Sequence, residues 1–276
     1  MKHILLCLVF AALAAVPRAQ TAADVVRFAV IGDAGTGGEA QYQVGRQMAS
    51  IRRQSPFDLV LMLGDNLYRR ASPEGYASAF ERPYAALLAD NVKFVAVLGN
   101  HDSPESVTYP GWNMNGQRYF TFTRNHVRFF ALDTNVLDAK QLEWLEQTLS
   151  ASTELWKIAY FHHPIYSNGK RHGSNIELRV RLEPLFVRHG VQVALSGHDH
   201  MYERLKPQKG ITYFVVGAGG QLREGGVQRS ETTAAAFDQE QSFLLIDVDT
   251  EALRFRAITR NGAVIDAGAI PRQPST

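Results

Sequence analysis

The sequence contains a series of short apolar runs, most of which end in a group of aspartate, asparagine or histidine residues. Six runs share this length and composition, and they cover residues 27–31, 58–63, 93–98, 127–132, 156–161 and 191–195. Each is rich in Val, Ile, Leu, Phe or Ala and has the length of a buried strand. This repetition restricts the chain to folds in which several buried strands present polar groups at their ends.

Helical patterns separate these runs and predict a largely parallel sheet. The patterns cover residues 40–53, 73–89, 139–149 and 175–189. Ser72 and Pro73 match an N-cap followed by the first position of a helix. Asp138 with Gln141 matches a capping box, and Gly190 matches a C-terminal cap. Strands that alternate with helices are typical of βαβ units.

The C-terminal region has a different pattern. Strand-like segments cover residues 211–216, 242–248, 253–258 and 263–267, and no long helical pattern lies between them. This predicts an antiparallel or mixed second sheet that packs against the first. Residues 217–220 and 224–236 are predicted to be loops.

Residues 1–22 have the pattern of a secretory signal peptide. A short basic start precedes an unbroken apolar run over residues 4–16, and Ala14, Ala19 and Ala22 are all possible cleavage points. We expect residues 23–276 to form a single catalytic domain, exported to the bacterial periplasm or medium. No later apolar stretch reaches about 18 residues, so no membrane span is predicted.

Charge and cysteine content exclude some functions. Loss of residues 1–22 removes two cations and no acid, so the net charge of +2 falls to zero. A neutral domain has no strong basic field, and nucleic acid is therefore not expected as a stable partner. The single cysteine, Cys7, lies in the predicted signal peptide, which leaves the mature domain without a disulfide or a thiolate ligand.

The polar groups at the ends of the runs carry the predicted chemistry. They are Gly32-Asp33-Ala34-Gly35, Gly64-Asp65-Asn66-Leu67-Tyr68, Gly99-Asn100-His101-Asp102, His162-His163-Pro164 and Gly197-His198-Asp199-His200. The carboxyl ends of strands in an open α/β sheet line one crevice, so these groups are expected to converge. The glycines are expected to permit the sharp turns that bring short side chains to a common centre.

These residue types predict a site for two metal ions. Asp, Asn and His supply oxygen and imidazole donors, which suit Mn, Zn or Fe. The donors outnumber the needs of one ion, whereas two ions about 3.5–4 Å apart that share a bridging carboxylate would use all of them. Such a pair stabilises both the entering and the leaving oxygen of an in-line displacement.

The ordered motifs resemble those of the calcineurin-like metallophosphoesterases and, within them, those of the purple acid phosphatases. Tyr68, three residues after Asp65, narrows the resemblance, because a tyrosinate at that position binds ferric iron in the purple enzymes. Trp112-Asn113, Arg118-Tyr119-Phe120 and residues 141–145 are similar to the small, mammalian-type tartrate-resistant enzymes. The resemblance covers roughly residues 26–220. It implies an α/β fold, a four-layer α/β/β/α sandwich of two mixed sheets flanked by helices.

The resemblance also implies a role for each candidate site residue. Ferric iron would be held by Asp33, Asp65, Tyr68 and His200. A second ion, Fe(II), Zn or Mn, would be held by Asp65, Asn100, His162 and His198, with Asp65 bridging the two ions. The catalytic groups beside the phosphate would be His101 and His172.

The implied activity is hydrolysis of small phosphate monoesters at acid pH by a metal-activated water, with His101 protonating the leaving alkoxide. One alternative keeps the same dinuclear site but cleaves diesters, such as cyclic nucleotides or nucleic acid. A non-catalytic binding protein on this scaffold is the alternative from another class. It would be expected to lack a ligand or the acid, whereas every one of those positions is filled here.

Three residues near the expected substrate depart from the family pattern, namely Ala34, Ser103 and His163, where relatives often have Trp, His and Tyr. His163 is also an alternative metal ligand to His162, and the spacing to Pro164 favours His162.

Other polar residues near the predicted ligands are expected to have structural roles. Asp133 is predicted to be uncoordinated although it also ends a strand. Asp102 is expected to orient His101 or its loop, as residues around metal ligands often do. Asp199 lies between two predicted ligands and is expected to point away from the ions.

Overall fold

The computed structural model describes residues 25–272 of the chain. The predicted signal peptide, residues 1–22, lies outside the described residues. Within the described part, no helix combines the length and the apolar character needed to cross a lipid bilayer.

Two β-sheets form the centre of the fold, and helices lie outside them. The strands are β1 (Val26–Ile31), β2 (Leu59–Met62), β3 (Lys93–Ala96), β4 (Phe120–Arg124), β5 (Val127–Ala131), β6 (Trp156–Tyr160), β7 (Val193–Ser196), β8 (Tyr202–Leu205), β9 (Thr212–Val216), β10 (Thr233–Phe237), β11 (Ser242–Val248), β12 (Ala252–Thr259) and β13 (Val264–Pro271). The helices are α1 (Glu39–Gln54), α2 (Pro73–Tyr76), α3 (Ala85–Ala89), α4 (Ala139–Ser150) and α5 (Ile176–Arg188). A π-helical segment spans Ala77–Glu81, and 3₁₀ turns span Pro104–Thr108 and Pro110–Trp112.

The first sheet has the strand order β13-β12-β11-β1-β2-β3. Strands β1 to β3 are parallel, as predicted, but β11 pairs antiparallel with β1, and Val26 lies opposite Val248. The prediction of a second sheet at the C-terminus is therefore wrong for β11 to β13, which extend the first sheet. The reason is that β1 is buried along almost its whole length and needs a partner at each edge, and the equally buried β11 supplies one.

The second sheet has the order β10-β8-β9-β7-β6-β5-β4. Its strands β5, β6, β7 and β9 are parallel, so the six apolar runs divide between two sheets. The sequence did not predict β4, β8 and β10, and the loop expected over 224–236 is wrong at Thr233–Phe237, which pairs with β8. Strands β8 and β10 contain Glu, Arg and Ala, and their conformation is set by pairing with neighbours more than by intrinsic preference.

The sheets pack face to face and enclose the main core. Phe28 from β1 and Phe129 from β5 meet edge to face there, with ring centroids 5.1 Å apart. Met48 of α1 packs on the outer face of the first sheet, and Leu145 of α4 and Leu182 of α5 pack on the outer face of the second. The layers are therefore α/β/β/α, and the predicted fold class is confirmed.

The sequence signals at the ends of α4 and α5 are confirmed in part. Asp138 Oδ1 accepts a hydrogen bond from the Gln141 N–H at 2.8 Å, and Gly190 follows α5 with a φ of +69°, which the C-terminal cap needs. The reciprocal half of the capping box is wrong. The Gln141 side chain donates to the Asp133 carbonyl oxygen at 2.9 Å instead, and so fastens the end of β5 to α4.

The helix predicted over 73–89 is interrupted. Ser72 caps its start as predicted, because its Oγ accepts a hydrogen bond from the Gly75 N–H at 3.1 Å. The backbone then becomes π-helical at Ala77–Glu81, and α3 begins only at Ala85. Pro83 has no N–H to donate and its ring opposes a continuous helix, which accounts for the break at this point.

Candidate metal centre

The predicted ligands lie at the carboxyl ends of strands in both sheets. The residues that follow β1, β2, β3, β6 and β7 at this end include, in order, Asp33, Asp65, Asn100, His162 and His198. The crevice is therefore formed by the ends of two packed sheets and not by one open sheet, as the sequence pattern suggested. The first sheet contributes mainly oxygen donors, and the second contributes histidines.

One group of donor atoms surrounds a point beside Asp33. The Tyr68 hydroxyl lies 3.2 Å from Asp33 Oδ1 and 3.2 Å from His200 Nε2, and the last two atoms are 3.4 Å apart. Donor atoms of Asp33, Asp65 and His200 all lie within 4.8 Å of one another. When each bond to a shared ion is about 2.0–2.2 Å long, neighbouring ligand atoms lie about 3 Å or slightly more from one another, as these donor atoms do. The structure thus brings together the four residues predicted for the first ion.

A second group surrounds His162. Its Nε2 lies 3.0 Å from Asn100 Oδ1, 3.1 Å from His198 Nδ1 and 3.4 Å from Asp65 Oδ1. Asp65 belongs to both groups, which is the position that a bridging carboxylate requires. His163 also has a ring nitrogen within 4.8 Å of the donor atoms of His162 and His198.

In the second group, hydrogen-bond acceptor atoms face one another, an arrangement that a bound cation would stabilise. The Nδ1 atom of His162 lies 2.8 Å from the Leu63 carbonyl oxygen, which can only accept, so Nδ1 carries the proton and Nε2 has a lone pair. That lone pair faces the oxygens of Asp65 and Asn100, which are also acceptors. Acceptors that face each other repel unless a cation lies between them. Imidazole with carboxylate and amide oxygen is a donor set for Zn, Fe or Mn, so the residues fit two such ions.

Burial strengthens this demand for positive charge. Burial, together with the neighbouring Asp65 carboxylate, raises the pKa of Asp33 above its ordinary value despite an opposing hydrogen bond with His200. Burial also lowers the pKa of His198 to about 2 and holds the pKa of His162 well below its ordinary value. Unfavourably buried carboxylates beside neutral imidazoles form an environment that bound cations stabilise.

Three of the predicted ligands have a left-handed backbone. The φ values of Asp33, Asp65 and His198 are 55°, 50° and 70°, which are uncommon outside glycine and concentrate at functional sites. The glycines beside them mainly make room. A Cβ atom at Gly99 would lie 2.1 Å from Asp65 Oδ1, and one at Gly197 would lie 2.4 Å from Asp33 Oδ2. The glycines were expected to make the sharp turns. In the structure, three of the predicted ligands make such turns themselves, and the neighbouring glycines leave space for their side chains.

The two predicted catalytic histidines lie on the solvent side of the centre. The His101 ring centroid is 4.8 Å from that of Tyr68, its Nε2 is 4.0 Å from Asp65 Oδ2, and its side chain is 55% exposed. The His172 ring, also exposed, lies 4.0 Å from the His198 ring. Both imidazoles therefore flank the donor groups from the direction in which a substrate would enter.

Two carboxylates next to the predicted ligands hold loops, as predicted from their positions in the sequence. Asp102 Oδ1 accepts a hydrogen bond from the Leu67 N–H at 2.9 Å, within the loop that carries the first donor group. Asp199 accepts a hydrogen bond from Ser167 Oγ at 2.6 Å and another from the His172 N–H at 3.3 Å. Asp199 points into the loop before α5 and away from the donor groups.

The end of β5 contributes a residue that sequence reasoning missed. Asp133 is structural, as expected, because its carboxylate accepts a hydrogen bond from Arg118 Nε at 2.5 Å and another from the Asn135 N–H at 2.8 Å. The next residue, Thr134, has its Oγ1 3.0 Å from His163 Nδ1. Its position two residues after the run 127–132, at the same end as the predicted ligands, was the available signal.

Known proteins similar to this chain agree with the resemblance drawn from the motifs. Tartrate-resistant acid phosphatase type 5 of Rattus norvegicus is 24% identical, over 91% of this chain and 92% of that protein. Purple acid phosphatase 17 of Arabidopsis thaliana is 26% identical, over 73% of this chain and 70% of that protein. The solved purple acid phosphatase PPD1 from yellow lupin (Lupinus luteus) seeds shares the fold, with a TM-score of 0.72 and 19% identity, over 90% of this chain and 54% of that one.

The family model described as calcineurin-like phosphoesterase matches residues 26–202, which contain every residue of both donor groups. The resemblance to the calcineurin-like enzymes, and within them to purple acid phosphatases, is therefore confirmed. On this match, the chain belongs to the calcineurin-like phosphoesterase family.

Proposed function

We propose that this chain is a dinuclear metal-dependent acid phosphatase that hydrolyses phosphate monoesters. The observation that supports this most directly is the meeting of two donor groups at Asp65, whose Oδ1 lies 3.4 Å from His162 Nε2 and whose carboxylate also lies within the Asp33 and His200 group. The similarity to proteins named tartrate-resistant and purple acid phosphatase supports the same activity.

The proposal assigns one ion to each donor group. Ferric iron is assigned to Asp33, Asp65, Tyr68 and His200. Fe(II), Zn or Mn is assigned to Asp65, Asn100, His162 and His198. Ions bound there supply an activated water and neutralise charge on the phosphoryl oxygens.

Ligation by Tyr68 requires a highly charged ion in the first group. Burial, with added repulsion from Asp33 and Asp65, raises the pKa of the Tyr68 phenol above its ordinary value. Its tyrosinate form therefore needs a strong compensating positive charge, which Fe(III) supplies better than a divalent ion.

His101 is the residue proposed to protonate the leaving alkoxide. Its N–H donates to Asp65 Oδ1 at 2.9 Å, which fixes its backbone to the proposed bridging carboxylate, while its ring stays open to solvent. A positioned general acid contributes about 10²–10⁴-fold in rate. His172 approaches from the side of His198, where its ring can contact a phosphoryl oxygen.

The test is to load the purified protein with iron and zinc and compare p-nitrophenyl phosphate with bis(p-nitrophenyl) phosphate at pH 4–8. We expect two metal ions per chain and a higher kcat/KM on the monoester. The Asp65→Asn variant is the control and should lose metal and both activities. A higher kcat/KM on the diester would favour the phosphodiesterase alternative. Two bound ions without hydrolysis of either ester would contradict the proposal.

The identity of the first ion has a spectroscopic test. The iron-loaded protein should show a visible tyrosinate-to-iron charge-transfer band, and the Tyr68→Phe variant should lose it while it keeps the fold. A colourless iron-loaded wild-type protein would contradict ligation by Tyr68.

We also propose that residues 23–276 form one catalytic domain, exported by the segment 1–22, that acts on small phosphorylated molecules. The support is the basic start and apolar run of that segment and the neutral charge of the remainder. N-terminal sequencing of the protein exported from a bacterial host should find a new start near residue 23. An intact N-terminus on protein retained in the cytoplasm would contradict export.

A further inference from the structure

His162 and His163 are neighbours in sequence, yet their Nδ1 atoms face opposite kinds of partner. The Nδ1 atom of His162 faces the Leu63 carbonyl oxygen, an acceptor, at 2.8 Å. The Nδ1 atom of His163 faces the Thr134 hydroxyl at 3.0 Å. Because the partner at one ring nitrogen determines which nitrogen carries the proton, the two rings can present opposite polarity at Nε2.

The hydrogen bonds of Thr134 determine the direction of its contact with His163. Thr134 Oγ1 accepts a hydrogen bond from the His163 backbone N–H at 3.0 Å. Its own hydrogen has no acceptor among the described residues other than His163 Nδ1. Thr134 is buried, and a buried hydroxyl is expected to use its hydrogen. The hydroxyl therefore donates to Nδ1, and the proton of His163 lies on Nε2.

The position of the ring hydrogen gives the two histidines different binding properties. The Nε2 atom of His162 has a lone pair that can bind a cation, whereas the Nε2 atom of His163 carries a hydrogen that a cation repels. The His163 ring is only partly buried, and its centroid lies 4.5 Å from that of His198 and 4.8 Å from that of His162. The ring therefore lies beside the second donor group and is partly open to solvent. An anionic group bound at that centre would come within reach of an N–H donor on this ring.

We propose that His163 is a substrate-binding residue that donates a hydrogen bond from Nε2 to the phosphoryl group, and that Thr134 is the positioning residue that fixes this tautomer. The inference rests on the proposed function, since it adds a contact to the same site. It also resolves the choice between His162 and His163 as metal ligand in favour of His162.

The tautomer is tested directly by nitrogen-15 NMR of the zinc-loaded protein labelled at histidine. We expect His163 to carry its hydrogen on Nε2 and His162 to carry its hydrogen on Nδ1. In the Thr134→Val variant the hydrogen of His163 should distribute over both nitrogens, and Thr134→Ser should restore the wild-type spectrum. Zinc bound to His163 Nε2 would overturn the proposal.

The substrate contact is tested with inorganic phosphate as the probe. The His163→Phe variant keeps a ring of similar size, and we expect it to retain two zinc ions per chain. Its affinity for phosphate, measured by calorimetry, should fall about tenfold, because a hydrogen bond to an anion is lost. His189→Phe, at the far end of α5, is the matched control and should bind phosphate like the wild type.

Two results would overturn the contact. One is loss of a zinc ion in His163→Phe, which would make His163 a ligand. The other is a phosphate affinity within about twofold of the wild type, well below the effect of a lost bond to a charged group. Neither measurement requires turnover. A protein loaded with iron and zinc that hydrolyses neither p-nitrophenyl ester would contradict the proposed function, whereas phosphate binding and the NMR spectra of the zinc-loaded protein decide this inference.

Discussion

Asp33 and Asp249 are both buried aspartates that follow strands of the first sheet, but they lie at its opposite ends. Asp33 follows β1, and Asp249 follows β11, which runs antiparallel beside it. Asp249 Oδ1 accepts hydrogen bonds from the N–H groups of Glu251 at 2.7 Å and Ala252 at 2.8 Å, and Arg254 binds the other oxygen. Asp33 has one such backbone donor, His198, and shares its remaining surroundings with Tyr68, His200 and Asp65.

The two carboxylates respond oppositely to these surroundings. Burial works against the charge of Asp249, but hydrogen bonds from Arg254 and the backbone prevail and lower its pKa to about 2. At Asp33, burial prevails and the pKa is raised. One carboxylate therefore stabilises a turn of the folded chain. The other is held where its charge is unfavourable, and a bound cation or protonation would relieve that charge. Burial alone therefore does not show the role of an acid, whereas the groups that contact its carboxylate do.

The largest expected effect comes from Asp33→Asn. Asparagine tolerates the left-handed backbone at this position. Loss of a ligand should reduce kcat/KM on p-nitrophenyl phosphate by about 10³-fold or more. The metal-free variant should be as stable as the metal-free wild type or more stable, because a buried charge is removed. Denaturant unfolding at pH 7.5 measures this. A clear loss of metal-free stability would show that the Asp33 carboxylate stabilises the fold as Asp249 does.

The second effect concerns His101→Ala. We expect kcat to fall about 10²–10⁴-fold, since a positioned acid is removed, while both ions stay bound. The ring is largely exposed, so the free energy of unfolding should change by about 0.5 kcal/mol or less. Metal analysis and kinetics on one preparation decide this. A kcat within a few-fold of the wild type would remove His101 from the mechanism.

The sequence predicted which polar residues converge better than it predicted the architecture that brings them together. Asp33, Asp65 and His198 were identifiable because each follows an apolar run and belongs to an unusual combination of residue types. The division of the runs between two sheets was not predictable from the runs, because it depends on long-range pairing, such as that of β11 with β1. The strand at Thr233–Phe237 was missed because three of its five residues are alanine, which has little strand preference.

Sequence patterns also did not predict the direction of the hydrogen bonds in the site. Spacing placed His162 and His163 in the site and favoured His162, but it contains no information on the partner of each Nδ1. Those partners, Leu63 and Thr134, follow β2 and β5, which belong to different sheets. Tautomers depend on such contacts, so this part of the site required the folded structure.

A third, smaller effect is expected from Asp249→Asn. The buried turn loses a charged acceptor for two N–H groups, so the free energy of unfolding should fall by about 1–3 kcal/mol, with kcat unchanged. Because the pKa of Asp249 is lowered from 3.8 to about 2, its contribution is fully present above pH 4 and is lost as the pH falls toward 2. The stabilities of variant and wild type should therefore converge below pH 3. A difference that grows on acidification would contradict this assignment.

The smallest effect is expected from Arg254→Gln, and it separates the two kinds of partner that Asp249 has. The Arg254 side chain is 55% exposed, so solvent screens its ion pair and its loss should cost about 0.5 kcal/mol, less in 1 M salt. The backbone N–H groups of Glu251 and Ala252 remain in that variant and should keep most of the stabilisation. Denaturant unfolding of both single variants and the double variant measures the coupling between them. If Arg254→Gln lowers the free energy of unfolding as much as Asp249→Asn does, the ion pair and not the backbone N–H groups stabilises the turn. Asp249 and Asp33 would then differ only in whether a positively charged side chain lies beside the carboxylate.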